Sequence, residues 1–179
     1  TIFFTADTHF GHAGIIALGK RPFPDRDSRA MDEGLIGLWN ARVRPDDDVW
    51  HLGDFALGPP PERLAEIIAA LNGIKRLIVG NNDGPATLAL PGWASVAHYA
   101  ETVVEGRRLV LCHYAFRTWN GIGKGALNLH GHSHGRLTPA PRQYDVGVDA
   151  QGPAPVRLDA ILRSRRGGKR RSGMAEPSA

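Results

Sequence analysis

A single cysteine, Cys112, stands among 179 residues, and one thiol cannot close an intramolecular disulfide. A disulfide framework is therefore excluded, and a reducing cytoplasm is the expected compartment. Long apolar runs are missing too. No stretch approaches the roughly 18 residues that cross a bilayer, so no membrane segment is expected. The opening Thr1–Ala6 segment lacks the basic stretch of a signal peptide and is too short for one; it reads as a first core strand. No internal repeat is visible, and a chain of 179 residues suits one domain with a substantial core.

An excess of positive charge is missing from most of the chain, despite a formal net charge of +4. Arg163, Arg165, Arg166, Lys169, Arg170 and Arg171 are six of the 22 basic residues. Without the residues after Leu162, 16 basic residues face 17 acidic ones, because Glu176 lies in the same segment. Residues 1–162 thus form a nearly neutral body and residues 163–179 a basic tail rich in Gly, Ser and Arg. So little apolar content predicts a disordered, solvated extension. Contact with nucleic acid or another polyanion is the alternative use of such a tail.

What is present is an alternation of short apolar runs with turn residues. Ile2–Ala6, Asp48–Leu52, Arg76–Val79, Arg108–Cys112 and Ala126–His130 read as strands buried on both faces. Val96–Tyr99, Glu101–Val104 and Gln143–Val148 read as strands nearer an edge, and Glu105-Gly106 suits a tight hairpin. Two segments read as helices. Over Asp27–Val43, Met31, Leu35, Leu38 and Trp39 follow three-to-four spacing behind a capping Asp27 or Ser28. Over Pro61–Leu71, Leu64, Ile67, Ile68 and Leu71 share a face, with Pro in the first turn and Gly73 past the end. Helices between the early strands, with strands in the majority, predict an α/β sandwich.

The polar residues with chemistry fall just beyond the strands. Asp7 and His9 follow the first, Asp54 the second and Asn81 the third; His113 closes the fourth, and His132 and His134 follow the fifth. Ligands gather beyond the carboxyl ends of strands in open α/β sheets, so these side chains are expected on one rim. Of eight histidines only His98 lies away from these segments. Each element alone is a weak signal. Asp-x-His and Gly-Asp are common coincidences, and a lone His113 is more often a hydrogen-bonded core residue than a ligand. Their combination and order carry the inference.

Asp7-x-His9, Gly53-Asp54, Gly80-Asn81-Asn82-Asp83, a lone His113 and Gly131-His132-x-His134 together resemble the calcineurin-like metallophosphoesterases. Thr8–His12, Trp50–Phe55 and Asp145–Asp149 look like the small bacterial and phage-type branch of that family. The resemblance implies a four-layer αββα sandwich and a dinuclear metal centre. By that resemblance Asp7, His9 and His134 would hold one ion, Asn81, His113 and His132 the other, and Asp54 would bridge them. The mixed oxygen and imidazole set suits Mn²⁺, Fe, Zn²⁺ or Ni²⁺ better than Ca²⁺ or Mg²⁺, with Mn²⁺ foremost. Such ions lower the pKa of a shared water and clamp a phosphoryl group, so no serine or cysteine nucleophile is required.

One position departs from the family pattern. Where the family places a histidine that contacts phosphate and helps protonate the leaving group, this chain has Asn82. An amide donates a hydrogen bond to phosphate but supplies no proton at neutral pH. Three explanations stay open: an engineered substitution, a natural enzyme of low or specialised activity, or another histidine, His12 or His51, serving as the acid. Asn82, His12 and Asp54 are accordingly the candidate catalytic residues. Candidate substrate contacts are Asn81, Asn82, Arg117 and Lys124, the last two in a Gly-rich loop that reads equally as a flexible surface loop or as a phosphate clamp in which Trp119 offers a stacking face for a base. Lys20, Arg21 and Arg26 read as solvated charges, Asp83 as a loop support and Cys112 as packing.

The function implied is hydrolysis of phosphodiesters or phosphomonoesters of a small molecule or nucleotide, at reduced rate because of Asn82. A nuclease or nucleic-acid end-processing enzyme using the basic tail is one alternative. A metal-bound interaction module without catalysis is another.

Overall fold

The computed structural model describes residues 1–171. Its first sheet is parallel throughout, in the order β1 (Ile2–Thr5), β2 (Asp48–His51), β3 (Ile74–Ile78), β4 (Trp93–Ala97). The second follows chain order as well: β5 (Tyr99–Val104), β6 (Arg107–Cys112), β7 (Leu127–His130), β8 (Gln143–Asp145). There β5 and β6 pair antiparallel and the remaining pairs are parallel. Parallel neighbours need crossover connections. Helices α1 (Ala13–Gly19) and α2 (Ser28–Asn40) make the first crossover, α3 (Pro61–Ala70) the second and α4 (Pro85–Leu88) the third.

Successive strand residues point to opposite faces, which sorts the core into two layers. Phe3 and Val49 pack outward against Met31, Leu35 and Trp39 of α2 and Leu64, Ile67 and Ile68 of α3. Phe4, Leu52 and Ile78 point inward and meet Leu109, Leu111, Leu127 and Leu129 of the second sheet. Two sheets stacked over this shared core and flanked by helices are the architecture the sequence implied. α6 (Leu158–Arg171) seats Leu158 and Ile161 in the inter-sheet layer. On the outer side of the second sheet, Val110 is covered by Trp119 and Ala126.

Local rules account for the helices expected from sequence. Asp27 caps α2, its carboxylate accepting the Ala30 N–H at 2.9 Å. Pro61 opens α3, where its missing N–H costs nothing. The Glu105-Gly106 hairpin has both residues at positive φ, 51° and 74°, the backbone a two-residue type I′ turn requires.

Several boundaries differ from the sequence reading. The strand expected over Val96–Tyr99 is divided at His98, β4 belonging to the first sheet and β5 to the second. β8 stops at Asp145 because the chain turns inward: Val146 N–H bonds the His130 carbonyl, and Val148 N–H reaches across to Ala6. A short helix, α5 (Val148–Gln151), follows at once. α1, unanticipated, buries only the adjacent pair Ile15 and Ile16, too little to show a helical period. α6 runs past Leu162 into the basic segment, and residues 172–179 of that segment lie outside the described residues. Among the described residues no helix is long and apolar enough to cross a membrane.

Candidate metal centre

The sheets deliver their polar loops to one rim. Asp7 and His9 follow β1, Asp54 follows β2, Asn81 follows β3, His113 follows β6, and His132 and His134 follow β7. Cross-links hold the loops in register: Asp7 N–H bonds the Gly53 carbonyl at 2.9 Å and His9 N–H that of Asp54 at 3.1 Å. Asp7, His9, Asp54, His132 and His134 all have left-handed backbone, with φ between 49° and 66°. Such conformations are unfavourable for residues with a Cβ and concentrate at functional sites. Gly53, at φ 94°, is a further fixed point. A Cβ there would run into His113 Nδ1 and the backbone of Gly80.

The donor atoms fall into two groups, each within 4.8 Å: Asp7, His9 and His134, and Asp54, His113 and His132. Asp54, a member of the second, also reaches toward the first. Its Oδ2 lies 3.6 Å from His9 Nε2 and its Oδ1 3.5 Å from His113 Nε2. Asn81 joins the second group, its amide oxygen 3.1 Å from His113 Nε2. The floor is buried and the mouth open: Asp7, His9, Asp54 and His113 are buried, whereas His132 and Asn81 are exposed.

Supporting contacts aim the imidazoles. His113 Nδ1 bonds the Leu52 carbonyl at 2.8 Å, so this nitrogen carries the proton and Nε2 keeps its lone pair toward Asp54. His134 Nδ1 meets Asp149 Oδ2 at 2.7 Å, which turns its Nε2 toward Asp7 and His9 in the same way. The Asp149 bond is also the main reason the His134 pKa is raised. Burial pushes Asp149 up, but hydrogen bonds from His134 and Arg21 outweigh it and hold the carboxyl below its ordinary range.

Divalent cations fit this donor set on two observations. Both ring nitrogens of His9 are buried without a hydrogen-bond partner, a cost that native proteins otherwise avoid. Asp7, fully buried, has its pKa pushed up to about 8 by burial first, with the charges of Asp145 and Asp54 adding to it, so a nearby positive charge would favour its ionised form.

Asn82 turns inward. Its backbone N–H bonds Asp54 Oδ1 at 2.8 Å and its side-chain amide bonds Asp54 Oδ2 at 2.6 Å. Asp83 accepts the backbone N–H groups of Asp54, Phe55 and Gly80 at 2.8–2.9 Å, the loop support expected from sequence. His12 is half-buried beside His9, ring centroids 5.5 Å apart, and burial followed by the charges of Arg21 and His134 lowers its pKa. His51 differs: it is fully buried against Phe55 and Trp93, with Nε2 bonded to Thr8 Oγ1 at 2.9 Å. Burial takes its pKa down to about 3.

In the Gly-rich loop the stacking face expected of Trp119 is not found. Trp119 is buried in the outer layer and donates its indole N–H to the Ala126 carbonyl at 3.0 Å, so it presents no stacking face. Arg117 and Lys124 are exposed in that loop. Sequence reasoning also misplaced Arg21, which is buried and hydrogen-bonded to Asp149 rather than solvated. Tyr114 went unnoticed as well. It is exposed at the mouth, with its ring 4.9 Å from that of His132. No periodicity or motif flagged either residue; only proximity to Pro22 and to His113 was available.

No family model matches the chain. The Gene 66 protein of Mycobacterium phage D29 is 32% identical, over 83% of this chain and 88% of its own length. An uncharacterized protein of Methanocaldococcus jannaschii is 31% identical, over 90% and 89% respectively. Among solved structures, a protein of unknown function from Aquifex aeolicus matches with a TM-score of 0.70 at 20% identity, over 91% of this chain and 98% of that one. A novel archaeal phosphodiesterase matches with a TM-score of 0.52 at 16% identity, over 84% of each. The two-sheet sandwich is therefore the fold these solved structures share, and by sequence the chain belongs to the family of the mycobacteriophage Gene 66 protein.

Proposed function

We propose that this chain is a metal-dependent phosphoesterase that holds two divalent ions, foremost Mn²⁺, and hydrolyses phosphodiesters or phosphomonoesters. The observation that carries the reading is Asp54, whose two oxygens reach His9 on one side at 3.6 Å and His113 on the other at 3.5 Å. Asp7, His9 and His134 would hold one ion, Asn81, His113 and His132 the other, with Asp54 shared. Ions held by these residues would supply Lewis-acid charge for a phosphoryl group and would lower the pKa of water.

The protein's own side chains set the conditions for that chemistry. Buried Asp7, His9, Asp54 and His113 keep the floor in low dielectric, where charge acts strongly. Exposed His132 and Asn81 mark the side from which a phosphoester enters. Asn82 spends one amide hydrogen on Asp54 and retains another for a phosphate oxygen. It gives the leaving group no proton. The family resemblance supports this assignment, as does the fold shared with an archaeal phosphodiesterase.

The test compares the chain with its Asn82→His variant in Mn²⁺-dependent hydrolysis of two diesters, bis-p-nitrophenyl phosphate and one with an alkyl leaving group. Loss of a general acid costs about 10²–10⁴ in rate. The variant is therefore expected to gain most on the alkyl ester, by about 10²-fold or more, and least on the activated one. Equal gains on both would remove the acid role from position 82. No turnover of either ester by either protein would sink the phosphoesterase reading for diesters.

A further inference from the structure

We propose that Arg21 and Asp149 are positioning residues that fix the Asp7–His9–His134 half of the centre, an inference that rests on the metal-centre reading above. Arg21 is buried and each nitrogen of its guanidinium is hydrogen-bonded. Nε and Nη2 form a fork on Asp149, reaching Oδ1 and Oδ2 at 2.9 Å each. Nη2 also donates to the Asp7 carbonyl at 2.6 Å, and Nη1 to the Thr8 carbonyl at 2.7 Å. Asp149 Oδ2 in turn meets His134 Nδ1 at 2.7 Å. One cation thus joins the loop after β1 to a carboxylate 128 residues away, and that carboxylate orients a third side chain of the same half.

Each bond has a consequence at the donor atoms. The carboxylate places the proton of His134 on Nδ1 and leaves the Nε2 lone pair directed into the group with Asp7 and His9. The two carbonyl contacts hold the stretch in which Asp7 and His9 sit at φ 56° and 51°, a backbone that would otherwise relax. Only a planar fork can serve both carboxylate oxygens and both carbonyls. Lysine, a point charge on a flexible stem, cannot. The second half is built differently, His113 Nδ1 leaning on the neutral Leu52 carbonyl where His134 Nδ1 leans on a carboxylate. Disturbing Arg21 or Asp149 should therefore affect one half and spare the other.

Two readouts on Asp149→Asn and Arg21→Lys test this, the second variant keeping the buried charge in case the first fails to fold. In metal-free protein, histidine side-chain nitrogen NMR should place the His134 proton on Nδ1 in the parent and shift it toward Nε2 in Asp149→Asn. In Mn²⁺ titrations, one of the two affinities should fall about 10–100-fold in both variants while the other holds, with His134→Ala marking which half is affected. Affinities that fall together, or a tautomer and affinities that do not change, overturn the inference while leaving the centre standing. A parent protein that takes up no Mn²⁺ overturns the metal-centre reading, and the role of the pair with it.

Discussion

His132 carries a conflict between backbone and side chain. It sits exposed at φ 66°, where a Cβ is unfavourable, and Asp7 Oδ1 and Oδ2 hold its N–H at 3.0 Å. Glycine adopts that backbone freely, whereas alanine does not. In metal-free protein His132→Gly is therefore expected to be more stable than His132→Ala by about 1 kcal/mol, read from urea denaturation, although both lose a donor of the second group. The reverse order would mean that the loop relaxes and stores no strain. Asp7, His9, Asp54 and His134 have the same left-handed backbone. The sequence did not announce it, because aspartate and histidine adopt left-handed backbone more readily than most residues but far from always. Arg21 was illegible for a related reason: its burial depends on Asp149, 128 residues distant.

At the scale of elements, the strands that deliver donors were the most legible feature. Each is a short apolar run ended by a polar residue, so both its existence and its exit point are written locally. Elements set by tertiary contact were not. α1 shows only one buried apolar pair, and the break at His98 follows from the chain moving between sheets, not from a breaker residue. The loop between β6 and β7 illustrates the same limit. Its Trp and glycines suggested a substrate-facing surface, but Trp119 packs on Val110 and Ala126 to close the outer face of the second sheet. Trp119→Ala should accordingly destabilise the fold by about 3–5 kcal/mol, measured by chemical denaturation. The folded fraction should keep its turnover with nucleotide and non-nucleotide esters alike. A selective loss on nucleotide substrates at unchanged stability would restore the stacking role.

On the scale of the molecule, the two sheets and the centre are one design. Inward residues such as Phe4, Leu52, Leu111 and Leu129 bond the sheets face to face, and this brings the loops after β1, β2 and β3 against those after β6 and β7. The grouping was expected in advance only from the family resemblance that the motifs carry. In the structure Asp54 lies between His9 and His113, where a carboxylate shared by the two halves would sit. That shared carboxylate is the central claim, and counting bound ions tests it most directly. Equilibrium Mn²⁺ titration of the parent should give two ions per chain, and Asp54→Asn should weaken both, each by about 10-fold or more. A single ion in the parent, or a variant in which one affinity is untouched, would contradict a centre bridged by Asp54.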